Sequence, residues 1–157
     1  DKQSGPIHVA IGIGNPMSRS NVVSNLLAKK SNLIFPSLVH PSVIFDKNSV
    51  SVQQGVIICA SNVLTVNIVL EEFSFINLSC TVGHEAHIGR CSVLNPSVSI
   101  SGGVNIGNNV SIGTGTQILQ YIKIGDNTII GAGACVTKQL PSNVVAVGVP
   151  AKVIKKN

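Results

Sequence analysis

An all-β fold built as a parallel β-helix is the architecture this 157-residue sequence predicts, and three observations carry the prediction. The first is an unbroken six-residue period. Val52, Ile58, Leu64, Leu70, Ile76, Val82, Ile88, Leu94, Ile100, Ile106, Ile112, Ile118, Ile124, Ile130 and Val136 are all aliphatic. Such a period belongs to stacked coils that bury a column of aliphatics. The second lies three residues beyond these anchors, where Gly55, Ser61, Asn67, Ser79, Ser97, Gly103, Asn109, Gly115, Asn127 and Gly133 accumulate. These residue types tolerate the positive φ of a sharp corner. The third is composition: 44% of residues are hydrophobic, yet only 3% are aromatic and none is Trp. An interior of small and branched aliphatics suits a regular, repetitive fold.

Taken in order, residues 1–40 form a partial β-α-β piece. "IHVAIGIGNP" reads as a strand entering a Gly-rich turn, which admits either a phosphate or a plain tight turn. "SRSNVVSNLLAKK" reads as a helix with Val22, Val23, Leu26 and Leu27 on its apolar face and Lys29 and Lys30 near its C-terminus. Residues 41–140 carry the coils. Two residues before the anchors, Val50, Val56, Ile68, Cys80, Ala86, Val98, Val104, Val110, Thr116, Ile122 and Ala134 make a second inward register. Residues 141–157 break the period at Pro141 and Pro150 and are expected to fold back as a cap over the last coil's open edge.

The formal charge of +5 comes from 11 Lys and Arg against 6 acids, with a basic tail in "PAKVIKKN". With so few aromatics, that tail reads as a solvated end and no nucleic-acid partner is expected. Cys59, Cys80, Cys91 and Cys135 form no CxxC pair, and no histidine follows His87, so neither a disulfide framework nor a zinc site is expected. No apolar run has membrane-spanning length; no membrane partner is expected, and the cytoplasm is the expected compartment.

The repeat resembles the left-handed hexapeptide-repeat acyltransferases. That resemblance implies a left-handed β-helix of about five triangular coils, with three hexapeptides to each coil. One segment of it stands out chemically: "NLSCTVGHEAHIG", residues 77–89, sets two histidines and a glutamate into a chain in which 11% of residues are charged. His84 lies two residues past anchor Val82, in a polar, solvent-facing register. When each coil takes three hexapeptides, Gly102 stacks on His84 and Gly103 on Glu85, leaving a notch beside the imidazole. An imidazole there could take a proton from an attacking hydroxyl or amine, oriented by the acid, with a backbone N–H near Gly102 facing the oxyanion of an acyl transfer. A surface histidine at a corner is the competing reading. His87, with Asn105 stacked above it and no acid expected beside it, is read as a surface residue.

More specifically, "INLSCTVGHEAHIG" resembles the active-site segment of the NeuD-type sugar acetyltransferases. The resemblance implies that a Rossmann-like fragment precedes the coils. It implies an acetyl-CoA-dependent acetyltransferase acting on a sugar or nucleotide-activated amino sugar of a bacterial surface polysaccharide. His84 would be the general base, Glu85 its orienting acid and Asn77 a substrate-binding residue. Gly102 would line the acetyl site, and Gly131, Ala132, Gly133 and Ala134 would leave room for the pantetheine arm at a subunit interface. Lys138 and Lys152 would meet the coenzyme A phosphates, in a homotrimer with no metal. Val93 departs from the histidine that some aminosugar N-acetyltransferases of the family carry at that position. The first strand and Gly-rich loop of the family's N-terminal domain have no counterpart here. A non-catalytic or truncated trimeric β-helix scaffold is the alternative.

Overall fold

The computed structural model describes residues 5–29 and 32–157. After β1 (Ile7–His8), α1 (Pro16–Leu27), β2 (Leu33–Ile34) and β3 (Leu38–Val39) come 15 two-residue strands, from β4 (Ser51–Val52) to β18 (Cys135–Val136). Each of them ends on one of the predicted anchors. From β4 to β15, every strand pairs in parallel with the strand three places on, one full coil away, as Leu70 with Ile88 and Ile88 with Ile106. The result is a three-faced prism. Face I carries the column Val52, Leu70, Ile88, Ile106, Ile124; face II carries Ile58, Ile76, Leu94, Ile112, Ile130; face III carries Leu64, Val82, Ile100, Ile118, Val136. All of these except Val52 are buried in one cluster.

Every corner between β4 and β18 takes a positive φ, at the third residue past the anchor. Glycine, asparagine and serine fill most of them, as expected; Phe73, Glu85, Cys91 and Tyr121 are the exceptions. The inward register is less apolar than the aliphatic list implies. Besides the expected Thr116, Asn62, Ser74, Ser92 and Thr128 are buried there. Most bond to backbone left open between coils: Asn62 Nδ2 donates to the Cys59 and Asn77 carbonyls, and its Oδ1 accepts from the Cys80 N–H.

The solenoid runs to about six turns rather than about five. Its first rung is β3, where Leu38 pairs with Ile57 and Val39 with Ile58, and Ile44 bridges to Val63 in the same register. That register is one residue longer than the coil that follows, in which Ser51 pairs with Val69. The extra residue sits in the turn at Asp46, whose carboxylate accepts from the Asn48 N–H at 3.1 Å and the Ser49 hydroxyl at 2.6 Å. Those bonds hold the Asp46 carboxyl below its ordinary pKa. At the other end β19 (Val144–Val147) extends the face II ladder in parallel from β17 (Ile129–Ile130), and β20 (Lys152–Lys156) turns back antiparallel over it.

The N-terminal piece forms a two-stranded parallel sheet and one helix. Asn15 caps α1, accepting from the Ser18 N–H at 2.9 Å, and Pro16 opens its first turn. The expected apolar face is only partly buried: Val23 is in the core, whereas Val22 and Leu27 are exposed. Lys30 lies outside the described residues. What the helix buries instead is Arg19, which is 0% exposed. Its Nε donates to the Phe73 carbonyl at 2.6 Å, and its Nη1 donates to the Ile11 and Ile13 carbonyls at 2.5 and 3.0 Å. The Gly-rich loop therefore wraps a guanidinium that reaches across to the β-helix. Around it pack Ile11, Val23, Phe35, Phe73 and Cys91.

Candidate active site

The stacking expected from the repeat is present on the edge between faces III and I, with the His84 ring occupying the space over Gly102. Here β9 (Thr81–Val82) turns through His84 and Glu85 into β10 (His87–Ile88). His84 Nδ1 lies 3.4 Å from Glu85 Oε2, with the two side chains 46% and 60% exposed. That contact leaves Nε2 as the nitrogen free for chemistry. The imidazole lies flat against the next coil: a Cβ built on Gly102 would collide with Nε2 and stand 2.6 and 2.8 Å from Cε1 and Cδ2. Only a glycine gives that ring its place. The backbone of this coil is tied in by Gly103 N–H to the His84 carbonyl at 2.7 Å and Tyr121 N–H to the Gly102 carbonyl at 3.0 Å.

The Gly102 N–H makes no hydrogen bond among the described residues. At the equivalent corners of another edge, such N–H groups are taken by side chains of the coil above: Arg90 N–H by Asn108 Oδ1 and Asn108 N–H by Asp126 Oδ1. The donor beside His84 therefore has no protein acceptor among the described residues, although Gly102 itself is buried.

His87 differs from its expectation. Its Nε2 sits 2.9 Å from Glu71 Oε1, so an acid does adjoin it, from the coil before. Its Nδ1 is buried without a partner. With one ring nitrogen on a carboxylate and the other enclosed, His87 offers nothing to a substrate. The four thiols are free as well, and burial pushes those of Cys59, Cys80 and Cys91 upward, away from the nucleophilic thiolate.

The remaining candidates divide between two edges. Lys138 is exposed in the same column as His84, three coils and roughly 14 Å along the axis. Asn77 and Gly131 to Gly133 lie on the edge between faces II and III, with the whole of face III separating them from His84. The Asn77 side chain turns back to accept from the Leu78 N–H at 2.9 Å. On that edge Gly115 and Gly133 have open space where a Cβ would stand. Exposed Lys152 pairs with Val147, whose side chain covers Gly131. Ala134 is a correction: it is 1% exposed and belongs to the core, because it occupies the inward register and cannot line an arm on the surface.

Comparison with known proteins places this geometry among others. The family described as bacterial transferase hexapeptide (six repeats) matches residues 103–138. No curated protein sequence matches the chain. Among solved structures, a histidine-to-asparagine variant of perosamine N-acetyltransferase from Caulobacter crescentus, in complex with CoA and GDP-perosamine, is similar with a TM-score of 0.89 and 28% identity. That match covers 95% of this chain and 70% of the other. WeeI from Acinetobacter baumannii AYE is similar with a TM-score of 0.88 and 31% identity, over 98% of this chain and 74% of that one. The acetyltransferase domain of PglB from Neisseria gonorrhoeae FA1090 shares the fold, with a TM-score of 0.89 and 24% identity over 98% of this chain and 84% of the other.

Proposed function

Since the chain belongs to the hexapeptide-repeat β-helix acetyltransferases, we propose that it moves an acetyl group from acetyl-CoA to a sugar, with His84 as the general base. The observation that carries the reading is the seat of the imidazole on Gly102, with Nδ1 turned to Glu85 and Nε2 the ring atom nearest the glycine. The CoA and GDP-perosamine in the complex of the similar enzyme support acetyl-CoA as donor and a nucleotide-linked amino sugar as acceptor. The NeuD-type assignment and a role in surface polysaccharide rest on the sequence resemblance.

In the reaction, Nε2 of His84 takes a proton from the acceptor's amine or hydroxyl as that atom attacks the thioester carbon. Glu85 keeps the imidazole in the tautomer with its lone pair on Nε2 and offsets the charge it gains. The carbonyl oxygen becomes an oxyanion facing the Gly102 N–H. The tetrahedral intermediate then collapses, breaking the carbon–sulfur bond, and the proton held by His84 passes to the departing thiolate. The products are the acetylated sugar and free coenzyme A.

One chain holds the pieces on separate edges. A homotrimer that sets the II–III edge of one prism against the III–I edge of its neighbour would bring Asn77 and the open Gly131–Gly133 surface to the notch. Lys138 and Lys152 would then stand at the same end of the groove, where they could meet the coenzyme's phosphates.

The test is release of free thiol from acetyl-CoA against a panel of nucleotide-linked amino sugars and sialic acids. Turnover with one acceptor is expected; a folded, assembled protein that releases no thiol with any of them would favour the scaffold reading. Gly102→Ala separates positioning from folding. A methyl there pushes the imidazole aside by about an ångström, so kcat should fall about 100-fold. Circular dichroism should stay that of the native coils, and an unchanged kcat would mean that the ring's seat on Gly102 is not needed.

A further inference from the structure

We propose that Tyr121 positions the acceptor sugar as the second wall of the catalytic notch. The inference rests on the acetyltransferase reading and adds a residue that reading does not use. Four corners carry a residue other than Gly, Asn or Ser at positive φ: Phe73, Glu85, Cys91 and Tyr121. Bulky side chains adopt that conformation only where something holds them there. Phe73 and Cys91 are held by packing, since both are 0% exposed beneath the N-terminal piece. Glu85 is held by its place beside His84. Tyr121 has neither reason: its φ is 58° and it is 67% exposed.

The direction of its ring supplies one. A Cβ built on Gly103 would collide with the Tyr121 ring, standing 2.5 Å from Cε1. The neighbouring Gly102 receives the His84 ring from the opposite side. The imidazole and the phenol therefore converge on one two-glycine shelf, from the coils before and after it. A molecule that gives its proton to His84 Nε2 would therefore pass beside the phenol ring that stands over the next residue of the shelf. A pyranose presents an apolar C–H face suited to an aromatic wall, while the phenol hydroxyl can bond to its polar groups. The donor's adenine end has no such constraint to this position, so the ring is assigned to the acceptor.

The experiment is steady-state kinetics in both substrates for the native protein, Tyr121→Gly and Tyr121→Phe, with thermal unfolding of each. Tyr121→Gly should raise the acceptor KM about tenfold while the acetyl-CoA KM and kcat stay within about twofold, and Tyr121→Phe should recover most of the loss. Because glycine accepts a φ of 58° freely, Tyr121→Gly should unfold at or above the native temperature. An unchanged acceptor KM, or a rise in the acetyl-CoA KM instead, overturns the assignment while leaving the enzyme reading intact. A native protein that turns over no acceptor overturns both.

Discussion

His84→Ala is expected to lower kcat for thiol release by about 100-fold or more, with unfolding temperature and assembly unchanged. The imidazole is half in solvent and makes its one polar contact with Glu85, so its removal takes away chemistry and little packing. What remains should be the positioning supplied by the groove and the unpaired Gly102 N–H. His87→Ala is the matched control, since neither of its ring nitrogens is available. A smaller loss at His84 than at His87 would show that the base has been assigned to the wrong histidine.

Arg19→Met should have the largest effect on stability. The substitution keeps much of the buried volume but removes every donor to the Ile11, Ile13 and Phe73 carbonyls. It also removes the cation 5.3 Å from the Phe75 ring centre. Each buried carbonyl left unpaired costs about 1–3 kcal/mol. The loss should be local, because the guanidinium joins the N-terminal piece to the prism and contributes nothing to the ladder. Limited proteolysis should cut within the segment before Leu38 while the β signal in circular dichroism persists. Native-like resistance to protease in the variant would mean that the apolar cluster around Phe35 and Phe73 suffices.

The coils were legible because one physical demand repeats: an aliphatic every six residues has to fill the same axial column. The corner residues were legible wherever glycine, asparagine or serine stood, since φ selects them. Legibility ended where the frame slipped or the contact was diagonal. A scan anchored on Val52 cannot see the longer turn at Asp46, which moves the first rung out of register by one residue. Stacking coil on coil aligns His87 with Val69 and Asn105, but Glu71 reaches it from two positions past Val69, across the slope of the coil. The helix was misread for a different reason. Its 3.6-residue pattern marks only the face of Val22, Val23, Leu26 and Leu27, and nothing in it announces that three backbone carbonyls await the Arg19 guanidinium. At the site, His84, Glu85 and Gly102 came together as stacking required. Ala134 did not join the candidate groove, because the same frame that fixes the corners sends its register to the core.

The ladder's strict neighbour-to-neighbour pairing also governs how the molecule breathes. Each rung is tied only to the rungs one coil before and after it, so amide exchange with solvent has to advance inward from the two ends. The first rung, Leu38–Val39, has a partner on one side alone and should lose its protons soonest. His84 and Gly102 sit with closed coils on either side, where fraying arrives last. The catalytic corner draws its stillness from its address along the axis.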